Sequence, residues 1–137
     1  MELLDLYDDF GNKLDKVIER GNIPKNGTNI MLSIIFIRDN KNRFLIQKTS
    51  KLKGGLYSTT GGHVTSSEDS KNTIIREVYE ELGLDISNRN IKLLDTIKYP
   101  NKPLIFRIYD LVLDNININN TKLQTTECES IYLVGII

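Results

Sequence analysis

Two apolar runs stand out along the chain: IMLSIIFI, from Ile30 to Ile37, and RFLIQK, from Arg43 to Lys48. Both are rich in β-branched, aliphatic and aromatic side chains, which suit a pleated, half-buried strand. The residues between them end in DNKN, a turn sequence, so the runs predict a hairpin near the centre of a sheet. Upstream, LLDLYDD and LDKVIER flank Phe10-Gly11-Asn12 and alternate imperfectly, which predicts two short strands around a Gly-Asn turn. Downstream, IKLLDTIKY and PLIFRIYDLVLD meet at Pro100-Asn101-Lys102 as a second hairpin, and the apolar IYLVGII reads as a last strand. Residues 115–126 are a polar connector.

The period changes in the middle of the chain. KLKGGLYSTTGG, from Lys51 to Gly62, is a loop rich in lysine, glycine and hydroxyl residues, with LYSTT extended just ahead of a helical stretch. Ile74, Ile75, Val78 and Leu82 then recur at helical spacing, predicting a helix from about Asp69 to Leu82. Gly83 is placed to be its C-cap, and Ser66 or Ser67 lies near its start. Strand pairs followed by one helix and more strands predict a mixed α+β sheet rather than an alternating α/β fold.

At 137 residues and 15.7 kDa, the chain suits one domain, spanning 1–137, with a hydrophobic core of its own. A formal net charge of zero and a pI near 6.6 provide no global field for nucleic acid or an anionic membrane. A polyanionic partner must therefore be bound locally. A single cysteine, Cys128, cannot build a disulfide framework and points to a reducing compartment. The first residues, MELLDLYDDF, are acidic where a signal peptide would be basic, and IMLSIIFI is far too short to span a membrane. The expectation is a soluble cytoplasmic protein.

On a helix, Glu77, Glu80 and Glu81 share one face, within an arc of about 100°. Like charges so placed destabilise an isolated helix, and a divalent cation is the obvious counterweight. Magnesium prefers carboxylate oxygens and takes one or two of them beside water and substrate phosphates. The bland alternative is a solvated acidic face.

Gly62, Glu68, Arg76-Glu77-Val78, Glu80-Glu81 and Gly83-Leu84 resemble, in residue type and spacing, the signature box of the Nudix hydrolase family. Its seven fixed positions, before the aliphatic Val78 and Leu84 are counted, make a chance match on the order of 10⁻⁹ per window. The resemblance implies a loop-helix-loop unit on a mixed sheet flanked by helices. It also implies cleavage of a diphosphate linkage in a nucleoside diphosphate derivative or related small molecule, with Mg²⁺ or Mn²⁺. Residue by residue, Glu80 and Glu81 resemble the principal metal ligands, helped by the main-chain carbonyl of Gly61, with Glu127 as an extra carboxylate from a late loop. Glu77 is the base or a further ligand; Arg76 and Glu68 support it, Glu68 as partner of Arg76 or as another ligand. Lys51 and Lys53, with Lys48 as a third candidate, would hold phosphate oxygens as point charges. The bland reading of these lysines is a solvated loop.

LDLYDDFGNKL, FLIQK and GGHV further resemble a Nudix subgroup akin to isopentenyl-diphosphate isomerase. Isomerisation is the rival reading, but the isomerase cysteine aligns with Gly61, and His63 is the only histidine. A non-catalytic nucleotide-binding module is a second rival, against which the intact box argues. For His63 a hydrogen-bonding role outweighs catalysis. Family members usually continue into a further helix over the sheet, whereas this sequence ends in IYLVGII, so an uncovered apolar face and a homodimer are expected.

Overall fold

The computed structural model describes residues 2–49, 54–114 and 128–135. The amino-terminal hairpin forms as expected, from β1 (Leu3–Tyr7) and β2 (Lys13–Glu19). Its turn is tied by Asp8, whose Oδ1 accepts from the backbone N–H groups of Phe10 and Asn12, both at 2.9 Å. Gly11 takes φ +86°, a left-handed conformation that glycine adopts without a Cβ penalty. The hairpin is a separate two-stranded sheet, bridged to the rest through Leu4↔Thr65 and Tyr7↔Asn29.

The main sheet is mixed. β3 (Ile30–Asp39) runs parallel to β8 (Leu104–Leu113) in a ten-pair register from Ile30↔Leu104 to Asp39↔Leu113. β8 pairs antiparallel with β7 (Lys92–Lys98), the expected second hairpin. The hairpin expected between β3 and β4 (Arg43–Thr49) exists only at its turn. There Asp39 Oδ1 accepts from the backbone N–H groups of Lys41 and Arg43, and Arg38 pairs with Phe44. Beyond it β4 swings away to pair with β5 (Tyr57–Ser58) and β9 (Cys128–Gly135). The edge of β3 thus vacated is taken by β6 (Thr60–His63), from Leu32↔His63 to Ile35↔Thr60. The loop before the helix therefore enters the sheet as a strand, bringing Gly61 and Gly62 beside β3.

α1 (Ser70–Leu82) is the one helix among the described residues, where the family resemblance implied helices in the plural. It starts where expected, with Asp69 as its N-cap: the Asp69 side chain accepts from the backbone N–H of Asn72 at 2.7 Å, and Ser66 and Ser67 precede it. Gly83 closes it in the left-handed region at φ 71°, as expected. β3 alternates in burial, with Met31, Ser33, Ile35 and Ile37 buried and Leu32, Ile34 and Phe36 half-covered. Ile35 and Ile37 of the buried row pack with Ile74, Val78 and Leu82 of α1 and with Leu45, Tyr109, Leu111 and Ile131 in one core. Ile74 and Val78 have no exposed surface, each worth about 1.5–3 kcal/mol of burial. Ser70 pins helix to sheet: its carbonyl accepts from Ser33 Oγ at 2.8 Å, and its hydroxyl meets the Tyr109 hydroxyl at 2.5 Å. On the opposite face Phe36, Phe44, Ile46 and Val134 line a shallow apolar groove. No described helix is long and apolar enough to cross a membrane.

Candidate active site

Packing the apolar stripe of α1 on the sheet sets the rotation of the helix and hence the depth of each acid. Glu81, one turn from Val78 and beside Leu82, is buried at 7% exposure. The Glu77 side chain is 17% exposed and that of Glu80 is 47% exposed, so the three descend in steps from solvent to protein. All three, with Arg76, line a cleft of about 720 Å³ together with Gly61, Gly62 and His63 from β6.

Both glycines are needed for that approach. A Cβ on Gly61 would lie 2.7 Å from the Ser33 carbonyl oxygen, and one on Gly62 would lie 2.5 Å from the Glu77 carboxyl. Bare backbone at these positions lets β6 close against β3 and lets Glu77 fold down over β6.

Arg76 answers part of the charge crowding on the helix. Its Nε and Nη2 donate to the two oxygens of Glu68, each at 2.9 Å, a bidentate pair. Its Nη1 reaches Glu77 Oε1 at 3.0 Å and Glu80 Oε2 at 3.1 Å. Glu68 Oε1 also accepts from the hydroxyls of Thr65, at 3.0 Å, and Thr73, at 2.9 Å. These bonds, led by that from Arg76, hold the Glu68 carboxyl below the usual carboxylate range, and the Glu68 bond likewise pushes the Arg76 guanidinium further up. Glu68 sits behind the helix in a neighbouring pocket with Ser67, Asp69 and Arg107, rather than in the lining of the cleft. The two guanidinium groups at the cleft, Arg20 and Arg76, cannot balance the carboxylates of Glu2, Glu77, Glu80 and Glu81, so a negative field persists there.

The donor set fits a hard divalent cation. Carboxylates of graded exposure and a backbone strand without side chains face a common space, and magnesium asks for few protein ligands. Among the described residues no three His, Cys, Asp or Glu side chains are drawn into a closed ligand cage; Glu77 and Glu80 turn instead toward Arg76.

Of the residues expected from the sequence, Glu77, Glu80, Glu81, Arg76 and Gly61 meet in the cleft, and Glu68 stands behind it. The structure does not bring Lys48 there: its Nζ lies 5.9 Å from the centre of the Tyr57 ring, and it is not among the described lining residues. Lys51, Lys53 and Glu127 lie outside the described residues, as does the side chain of Cys128. His63 pairs with Leu32 and lines the cleft.

Sequence reasoning missed four residues: Thr65 and Thr73, which hold Glu68, and Glu2 and Arg20, which reach the cleft from the amino-terminal hairpin. Hydroxyl residues flanking Glu68 were a usable local signal for the first pair. No local signal existed for the second.

No curated protein sequence matches the chain. Among solved structures, DR0079 from Deinococcus radiodurans superposes with a TM-score of 0.76 at 18% identity, over 98% of this chain and 83% of that one. The Escherichia coli dihydroneopterin triphosphate pyrophosphohydrolase matches with a TM-score of 0.63 at 15% identity, over 76% and 79% of the two chains. The NUDIX domain of Shewanella oneidensis NrtR, complexed with ADP ribose, matches with a TM-score of 0.63 at 12% identity, over 86% and 78%. At these identities the likeness is one of fold. The family model for the NUDIX domain matches residues 30–133, which carry β3, β6, α1 and the three glutamates of the cleft, and the chain therefore belongs to the NUDIX domain family.

Proposed function

We propose that the protein is a divalent-metal-dependent pyrophosphohydrolase, which cleaves a diphosphate linkage in a nucleoside diphosphate derivative or related small molecule. The observation that carries the reading is the meeting of Glu77, Glu80 and Glu81 with Gly61 and Gly62 in one cleft, backed by the Arg76–Glu68 pair. Glu80 and Glu81, with the Gly61 carbonyl, would hold Mg²⁺ or Mn²⁺. When bound, the ion screens phosphate charge and lowers the pKa of an attacking water. Glu77, folded against Gly62, takes the proton from that water. Arg76 keeps Glu77 and Glu80 from springing apart, and Glu68 anchors Arg76 from behind. Lys51, Lys53 and Glu127 are proposed on the family resemblance alone, as phosphate and metal contacts.

The isomerase reading is weaker. Gly61 offers no nucleophile, and any side chain there meets the Ser33 carbonyl oxygen. The test is a panel of nucleotide and non-nucleotide diphosphates assayed for release of phosphate products with Mg²⁺ and with Mn²⁺. Metal-dependent release from at least one is expected; no release from any, by folded protein, would reject the proposal.

A further inference from the structure

The cleft has a second wall that the family match does not include. Glu2 and Arg20 belong to the amino-terminal hairpin, outside residues 30–133, yet both line the same space as Glu77, Glu80 and Glu81. Their position follows from the fold, because Leu4 pairs with Thr65 and Ser66 N–H donates to the Leu3 carbonyl at 2.8 Å. These bonds fasten the hairpin to the loop that leads from β6 into α1.

Among the described residues, Arg20 and Arg76 are the only arginines or lysines lining the cleft. Arg76 is committed to Glu68, Glu77 and Glu80. Among the described residues the side-chain partner of Arg20 is Glu2, through Nη1 at 3.1 Å, which leaves most of its five donors unused. That pair is half-exposed, at 49% and 39%, and adds little to the fold. The hairpin is already closed there by the Leu3↔Glu19 pairing and by the Arg20 N–H donating to the Glu2 carbonyl at 3.0 Å. An anionic substrate entering a cleft lined by four glutamates needs a cation that can change partners.

We propose that Arg20 is a substrate-binding residue, which releases Glu2 and takes a non-bridging phosphate oxygen of the diphosphate. The inference rests on the pyrophosphohydrolase reading for its substrate class. Arg20 then acts through binding rather than through the chemical step: it touches phosphate in ground and transition states alike, and its loss should raise KM and leave kcat nearly unchanged. Glu2 is its resting partner and a competitor of the substrate. Leu32 and Ile34, half-buried on the same wall of β3, supply an apolar surface for the remainder of the molecule.

The test is calorimetric titration of inorganic pyrophosphate, with Mg²⁺ and again with EDTA, into the parent protein and the Arg20→Ala, Arg20→Lys and Glu2→Gln variants. Circular dichroism verifies that each is folded. Arg20→Ala should weaken binding about tenfold or more, the scale of a lost hydrogen bond to a charged group, and Arg20→Lys should weaken it less. Glu2→Gln should bind at least as tightly as the parent, and it reports even if Arg20→Ala does not fold. Equal affinity of parent and Arg20→Ala would overturn the proposal, as would weaker binding by Glu2→Gln or a parent that does not bind pyrophosphate. The two readings fail separately. Arg20-dependent binding by a protein that hydrolyses no diphosphate would reject the hydrolase and keep the anion site, whereas turnover with Arg20-independent affinity would reject only the anion site.

Discussion

Replacing Gly62 by alanine tests the placement of Glu77 without altering any charge. The new Cβ would fall 2.5 Å from both Cδ and Oε1 of Glu77 and 2.9 Å from its Cγ, whereas ordinary contact begins near 3.4 Å. The carboxyl group must therefore withdraw by about 1 Å, losing its 3.0 Å bond to Arg76 Nη1 as it goes. Only the far end of a flexible side chain has to move, and Gly62 does not occupy the left-handed region. The fold should give up less than about 1 kcal/mol. A reacting group displaced by that distance costs about 10²-fold in rate, close to 2.7 kcal/mol of barrier. Gly61→Ala is the matched control. Its Cβ would meet the Ser33 backbone oxygen at 2.7 Å, which cannot swing aside, so β6 must part from β3 at about 1–3 kcal/mol. The assay pairs thermal melts with metal-dependent turnover of a diphosphate at saturating substrate. Gly62→Ala should melt near the parent and turn over about a hundredfold slower, and Gly61→Ala should lose several degrees of Tm. A Gly62→Ala protein with parental kcat would refute the role given to Glu77, and equal Tm losses in both variants would refute the claim that only a side-chain end moves.

Glu80→Gln and Glu81→Gln should each lower turnover by about two orders of magnitude or more, the cost of one lost preorganised electrostatic contact. Glu68→Gln should cost less, because an amide still accepts from Arg76 and the threonine hydroxyls; equal losses across all three would make Glu68 a metal ligand. Millimolar Mg²⁺ or Mn²⁺ should raise the Tm by binding the native state preferentially, and unchanged melting together with no metal-dependent activity would restore the solvated acidic face. The lowered pKa of Glu68 carries a sign: its stabilisation is complete above the unfolded value near 4.5 and is lost as pH falls through the folded value. Acid unfolding of the parent should thus steepen below pH 4.5 relative to Glu68→Gln, and parallel acid titrations would count against the Arg76–Glu68 bond.

Local pattern determined much of this protein. The helical recurrence of Ile74, Val78 and Leu82 beside Glu77, Glu80 and Glu81 is a matter of 100° steps, which the sequence carries whatever lies around the helix. The strand runs and the Gly83 terminus were legible for the same reason, since each rests on neighbours along the chain. The helix start near Asp69 was legible too, but Ser66, Ser67 and Asp69 can all cap a helix, and the choice among them fell to the one whose carboxylate meets Asn72 N–H. Three features belonged to tertiary structure alone. Periodicity ranks the glutamates around the axis, but only packing against the sheet made Glu81 the buried one and left Glu80 toward solvent. The β3 and β4 runs read as one hairpin, since no local signal shows that β4 finds better pairing with β9 and leaves the edge of β3 to β6. Arg20 reached the acidic cleft because a distant hairpin is bridged to the loop before α1, and contacts across such a separation are chosen by the competition of whole surfaces for burial.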